Sequence, residues 1–187
     1  MLETHASEEK MSIEIDILNG DASWPLAKPL FDAIWPPQVV ATLPWAEIVF
    51  AHAELRVLLQ DEAGEALCHV GIHRRDITWN GRKVPAAGIG GVLTRPDSRG
   101  RGYASMALDA AAQTLKDEGS AAFAMLFCEP HNVPFYTGRG WKPFDGEIYA
   151  DQPEKGRVRF EAMAPYTYDL KGRAPQNGII DLCGLPW

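Results

Sequence analysis

The stretch "GVLTRPDSRGRGYASMAL", Gly91–Leu108, opens on apolar residues and turns at Pro96. It gathers Arg95, Arg99 and Arg101 around Asp97, then passes through two glycines into alanines and leucine. The chain around it is acidic: 18 Lys and Arg against 25 Asp and Glu give a formal net charge of −7. Positive charge gathered in an acidic chain implies a nucleic acid, a phosphate-bearing cofactor, or simply a solvated turn. Strand, proline turn, glycine loop and helix, in that order, aim free N–H groups at an anion. A helix N-terminus leaves up to four backbone donors unpaired and carries about half a positive charge. Gly100 and Gly102 permit φ > 0 and close backbone approach, while Arg99 and Arg101 add charge that meets phosphate oxygens. The spacing is neither the Gly-Lys-Ser/Thr of a nucleotide-triphosphate loop nor G-x-G-x-x-G, which disfavours an NTPase and a dinucleotide dehydrogenase.

Outward from the loop, "YASMALDAAAQTLKDEG" reads as an amphipathic helix with Ala104, Leu108, Ala111, Ala112 and Leu115 on one face, stopped by Gly119. Upstream, "ALCHVGIHRRDITW" (Ala66–Trp79) and "KVPAAGIGGVLTRP" (Lys83–Pro96) are strand-like runs joined through Asn80-Gly81, the strongest short hairpin signal. Glu54–Asp61 and Met11–Leu18 also read as strands. Leu26, Leu30, Phe31 and Ile34 recur at helical spacing, and Pro36-Pro37 divides their segment into two short helices. Downstream, "AAFAMLF" (Ala121–Phe127) is wholly apolar, as in a strand at a sheet centre. "NVPFYTGRGW" is a short helix that Gly140 ends, Arg159–Leu170 a late strand, and the rest a Gly/Pro-rich tail. These elements predict one α+β domain over residues 11–187 with a mostly antiparallel sheet, and a flexible extension over residues 1–10.

Composition narrows the function. With 46% apolar and 23% charged residues the chain is globular. No apolar run approaches the roughly 20 residues of a membrane span, and "MLETHASEEK" is unlike a signal peptide. The scattered Cys68, Cys128 and Cys183 suit a reducing cytoplasm, and no spacing suggests a metal site. The acidic balance and the lack of an interleaved aromatic platform disfavour nucleic acid.

The loop also resembles the acetyl-CoA motif of the GCN5-related N-acetyltransferases, a strand running into Arg/Gln-x-x-Gly-x-Gly/Ala. Arg99, Gly100, Arg101, Gly102, Tyr103 and Ala104 occupy its six positions. About 30 residues on, Asn132 and Tyr136-x-x-x-Gly140-Trp141 are similar to the family's Asn … Tyr-x-x-x-Gly-Phe ending. The resemblance covers Leu55 to Trp141 and implies the family's fold, with a mixed sheet, a splayed strand pair and flanking helices. It implies that the amides from Gly100 to Ala104 hold the cofactor pyrophosphate. It further implies that Val92, Leu93 and Thr94 bond the pantetheine arm, with Gly90-Gly91 marking a bulge or close approach. Asn132 lies closer to Tyr136 than the family's usual spacing, and reads either as a helix cap or as a cofactor contact.

The reaction so implied is direct attack of a small-molecule amine on the thioester of acetyl-CoA. Tyr136 stands at the position of the family's general acid. Glu129 and His131 follow the apolar strand at the active-site end and are candidates for binding or deprotonating the amine, as are His69 and His73 on their strand. Cys128 pairs with no base and reads as a buried thiol. His73-Arg74-Arg75, the "GRGW" after Tyr136 and a final tryptophan look like the aminoglycoside 2′-N-acetyltransferase branch. In that branch a terminal carboxylate, here on Trp187, reaches the substrate. Relatives there carry a glutamate where this chain has Gly90. "HVGIHRR" also looks like nodulation N-acyltransferases, which use longer acyl donors. A non-catalytic acyl-CoA binder, as monomer or homodimer, is the reading from another class.

Overall fold

The computed structural model of the protein describes residues 12–187; the extension expected over residues 1–10, and Met11, lie outside them. The first strand, β1 (Glu14–Asn19), leads into α1 (Gly20–Ile34), whose N-terminus is capped by the Asn19 side chain accepting from the Ala22 amide. The helix runs 15 residues through Pro25 and Pro29 before Trp35 and Pro36 end it, and α2 (Pro37–Val40) follows. The first helix is therefore longer than expected. Both internal prolines lie on the exposed face, where water can satisfy the carbonyls that lose an amide partner. β2 (Leu55–Gln60) pairs with β1 on one side and with β3 (Ala66–Trp79) on the other.

Asn80 and Gly81 hold φ of 48° and 74°, the two positive values of a type I′ turn, and close the hairpin between β3 and β4 (Arg82–Thr94). α3 (Tyr103–Glu118) stops at Gly119 with φ 59°, where a left-handed residue is required. Its buried face is Tyr103, Ala107, Leu108, Ala111 and Leu115, with Ala104 and Ala112 only half-buried. β5 (Phe123–Cys128) is buried throughout, and α4 (Val133–Thr137) follows it. Then come β6 (Lys142–Pro143), β7 (Asp145–Gln152), β8 (Gly156–Arg159), β9 (Ala164–Asp169) and β10 (Asn177–Asp181). The late strand expected over Arg159–Leu170 is thus the shorter β9, and β8 ends at Arg159 where that strand was expected to begin. The tail holds a further strand, β10, which the Asn80 side chain helps fix by accepting from the Ile179 amide at 2.8 Å.

One sheet runs in the order β6-β9-β5-β4-β3-β10-β7-β8, with parallel pairs only at β4/β5 and β10/β7. It is the mixed, mostly antiparallel sheet of an α+β fold. α3 covers one face with Val57, Val70 and Leu126, while Met125, Phe144, Phe160 and Trp187 build the core on the other. The β4/β5 pairing stops at Ile89↔Leu126. Beyond it the strands splay. The cause is local: Gly71 pairs with Gly90 but His69 with Leu93, so Val70 faces both Gly91 and Val92. Gly91 takes φ 56°, and this bulge bends β4 away from β5.

Candidate active site

The glycine loop ends on Gly102, which takes φ 82° as the residue before α3, and no side chain caps that helix. The first bond into the helix is Met106 N–H to Gly102 O, 3.1 Å. The amides of Gly102, Tyr103, Ala104 and Ser105 therefore precede any intrahelical acceptor and point out of the helix start. Gly100 also has positive φ (76°), and a Cβ at either glycine would meet no protein atom within 4 Å. Backbone conformation, not crowding, demands these glycines, and the space over them is open to a ligand. Tyr103 is buried by its ring, so its contribution to this cradle is its amide.

The loop's arginines divide. Arg95 bonds Asp97 at 2.8 Å, Glu65 at 3.2 Å and Asp61 at 3.4 Å, a clamp onto the β2–β3 turn that removes it from anion binding. Arg99 donates from Nε to the Thr94 carbonyl at 3.3 Å, and Arg101 is exposed. Arg139 adds a cation that sequence reasoning missed: it donates to the Phe135 carbonyl and to Ser105 Oγ in the first turn of α3.

The splay opens a cavity of about 540 Å³, reached by Gly90, Gly91 and Val92 from β4 and by Cys128, Glu129, His131, Asn132 and Tyr136 from the β5–α4 side. From Gly90 onward the edge of β4 turned from β3 has no strand partner, so its backbone groups face the opening. Val92 lines the cavity. Leu93 is buried and Thr94 donates to Cys68 Sγ, so those two offer backbone only. Asn132 leaves the α4 N-terminus uncapped, and its exposed amide stands on the cavity rim. The cap reading is therefore wrong: the 3-10 turn Pro130–Asn132 leads directly into the helix and leaves no extended capping residue.

Tyr136 is buried among Phe135 and Trp141, and burial, with Cys128 and Cys68 nearby, raises its pKa well above the usual phenol value. Its hydroxyl therefore stays protonated at neutral pH. Burial also pushes the Cys128 thiol up to about 11, which leaves it protonated and unfit as a nucleophile. Glu129 is oriented from two sides: Trp45 Nε1 donates to Oε1 at 2.9 Å and His131 Nδ1 lies 3.4 Å from Oε2. Trp45 was not found from sequence, although three of the six tryptophans crowd into residues 24–45.

His69 and His73 both reach the cavity, as their alternation on β3 suggested. His69 Nδ1–H donates to the Gly91 carbonyl at 2.6 Å, and Nε2 accepts from Arg56 Nη1 at 2.8 Å. Arg56, His69 and the bulge thus form one chain of bonds. Burial is the main cause that lowers His69 to about 4 and His73 to about 3. Both are neutral in the fold, whereas an unfolded histidine takes its proton near 6.5. Stability is therefore complete above pH 6.5 and falls as the pH drops toward 4, because only the unfolded chain gains protons in that window. His69 alone accounts for on the order of 3 kcal/mol. Urea unfolding at pH 7.5, 6 and 5 should show this decline, and His69→Gln, which can keep both hydrogen bonds, should make it shallower, leaving the part due to His73. Equal stability at all three pH values would contradict the assignment.

Trp187 closes the floor. Its indole is buried, stacks on His73 at 6.0 Å, and donates from Nε1 to the Met125 carbonyl at 3.1 Å. A Cβ on Gly90 would come within 2.8 Å of the Trp187 backbone, so a glutamate has no room at position 90. The other two residues of "HRR" have structural partners as well. Arg74 bridges Glu54 and Glu118, each at 3.0 Å, and Arg75 donates to the carbonyls of Leu182 and Leu185.

The family model described as an acetyltransferase (GNAT) domain matches residues 37–144, more than half of the chain. Escherichia coli ElaA shares the fold at 16% identity and a TM-score of 0.61, over 84% of this chain and 100% of that one. A GNAT family acetyltransferase from Brucella melitensis, solved in complex with acetyl-CoA, is 15% identical with a TM-score of 0.58, over 90% and 94%. The GNAT family N-acetyltransferase YhbS of Escherichia coli, solved in complex with CoA, is 15% identical with a TM-score of 0.56, over 92% and 89%. No curated protein matches the sequence.

Proposed function

The chain belongs to the GNAT acetyltransferase family, and on that premise we propose that it moves the acetyl group of acetyl-CoA onto the nitrogen of a small primary amine. One observation carries the reading: a single cavity receives the unpaired edge of β4, the buried Tyr136 and the oriented Glu129 carboxylate. The residues present fit the donor. The uncapped start of α3 behind two positive-φ glycines suits a pyrophosphate, with Arg99, Arg101 and Arg139 nearby. Val92, Leu93 and Thr94 offer backbone groups to the pantetheine arm, and Asn132 offers a free amide at the rim.

Bound there, acetyl-CoA supplies a thioester whose carbonyl carbon forms the new C–N bond as the C–S bond breaks. Glu129, through water, accepts the proton that converts the ammonium to the attacking amine. Backbone donors on the free edge of β4 stabilise negative charge on the carbonyl oxygen. Tyr136 gives its proton to the departing sulfur and is reprotonated as the nitrogen loses its second proton. The sum is amide, free thiol and one proton released to solvent. Support for an aminoglycoside acceptor is thin, because Arg74 and Arg75 are held within the fold and position 90 has no room for that branch's glutamate. Tyr136 and Glu129 meeting in one cavity favours catalysis over a silent binder.

Calorimetry with acetyl-CoA tests the donor site. Gly100→Ala combined with Gly102→Ala should weaken binding tenfold or more. The stability lost should be limited to about 1–2 kcal/mol per site, the cost of left-handed backbone for an L-residue. Unchanged affinity in this variant, or no binding by the unaltered chain, would remove the acetyl-CoA reading.

A further inference from the structure

Resting on the acetyltransferase reading, we propose that the acceptor is an aromatic monoamine, one ammonium group on a flat apolar ring-bearing body. The far wall of the cavity is built from α1 and the segment after it. Trp24, Phe31, Trp35, Trp45 and Phe50 form a continuous edge-to-face series there, with successive ring centroids 5.1, 5.7, 5.1 and 5.7 Å apart. All five are only half-buried, and all five line the cavity. Apolar rings left partly open inside a concave site are the walls of a ligand pocket.

Charge selects among ligands. Among the described residues that line the cavity, Glu129 carries the only acidic side chain. Its carboxylate is held at the end of the aromatic wall by the Trp45 indole N–H. The guanidinium of Arg56 donates to Gly20 O and His69 and lies over the Trp24 ring at 4.8 Å, so it is committed to the fold. One carboxylate beside aromatic faces suits one ammonium, which gains from the charge pair and from the ring faces together. A polyamine or an aminoglycoside would bring further ammonium groups into an apolar site that offers them no second acidic side chain, a costly desolvation. A long acyl chain against the same wall would leave the Glu129 carboxylate facing hydrocarbon.

The test is a titration of the full chain's tryptophan fluorescence with phenethylamine, spermidine and kanamycin, beside calorimetry with acetyl-CoA and octanoyl-CoA. Phenethylamine should bind at least tenfold more tightly than the other two amines. Glu129→Gln should cost it tenfold or more while leaving acetyl-CoA affinity unchanged. Trp45→Phe keeps a ring but removes the N–H that orients Glu129, and should cost severalfold. Spermidine or kanamycin binding as tightly as phenethylamine would overturn the proposal, as would phenethylamine affinity unmoved by Glu129→Gln. So would octanoyl-CoA binding more tightly than acetyl-CoA and competing with phenethylamine. Phenethylamine binding of the expected strength without any acetyl-CoA binding would uphold the pocket's ligand class and remove acetyl transfer alone.

Discussion

Tyr136→Phe is expected to lower kcat by about 10²–10⁴-fold, the usual contribution of a positioned general acid, with little change in acetyl-CoA affinity. Among the described residues that line the cavity, Tyr136 carries the only hydroxyl, and burial keeps it protonated. The ring contacts with Phe135 and Trp141, centroids 5.1 and 6.3 Å away, survive in phenylalanine, so the loss is chemical and not structural. Steady-state turnover and urea unfolding on the same preparation separate the two. The wild-type rate should also show no alkaline fall from this group, because its pKa is shifted upward. Full turnover by the phenylalanine variant would remove Tyr136 from the reaction.

Trp187→Ala is expected to cost about 3–5 kcal/mol of stability, the range for truncating a buried large aromatic. The indole packs on His73 and Phe127, lies 5.4 Å from the Arg75 guanidinium and bonds the Met125 carbonyl. It also covers Gly88, where a Cβ would meet the ring at 2.2 Å. That close approach supplies an internal check. Gly88→Ala should destabilise the wild-type chain strongly and the Trp187→Ala chain far less, a coupling measurable by a double-mutant cycle. Urea unfolding reads all four proteins. A loss under about 1 kcal/mol for Trp187→Ala would contradict the packing role.

What the sequence made legible is what is local. The Asn80-Gly81 turn, the Arg99–Ala104 loop and the stop at Gly119 each follow from the φ that one or two residues must adopt. Gly90 and Gly91 likewise announced the bulge. β10 was hidden because its five residues carry little pattern of their own and pair with β7, about 30 positions away, with the Ile179 amide donating to the Asn80 side chain. Arg95 counts toward the positive charge of the loop in sequence, but its partners Asp61 and Glu65 lie across the β2–β3 turn. The aromatic wall was hidden for the same reason. Phe31 reads as part of a helix face with Leu26, Leu30 and Ile34, and only the fold brings Trp45 to Glu129, 84 positions later. The Trp187 ring packs in the core, while its backbone lies against Gly90 at the cavity, the end at which the resemblance placed its carboxylate.

The most direct test of the central claim is to incubate the protein with acetyl-CoA and phenethylamine and follow free thiol and N-acetylated amine together. The account predicts equal amounts of the two, and no thiol released while amine is absent, since Cys128 stays protonated and the transfer is direct. Thiol released without acetylated amine, or an acetyl group retained on the protein, would contradict it.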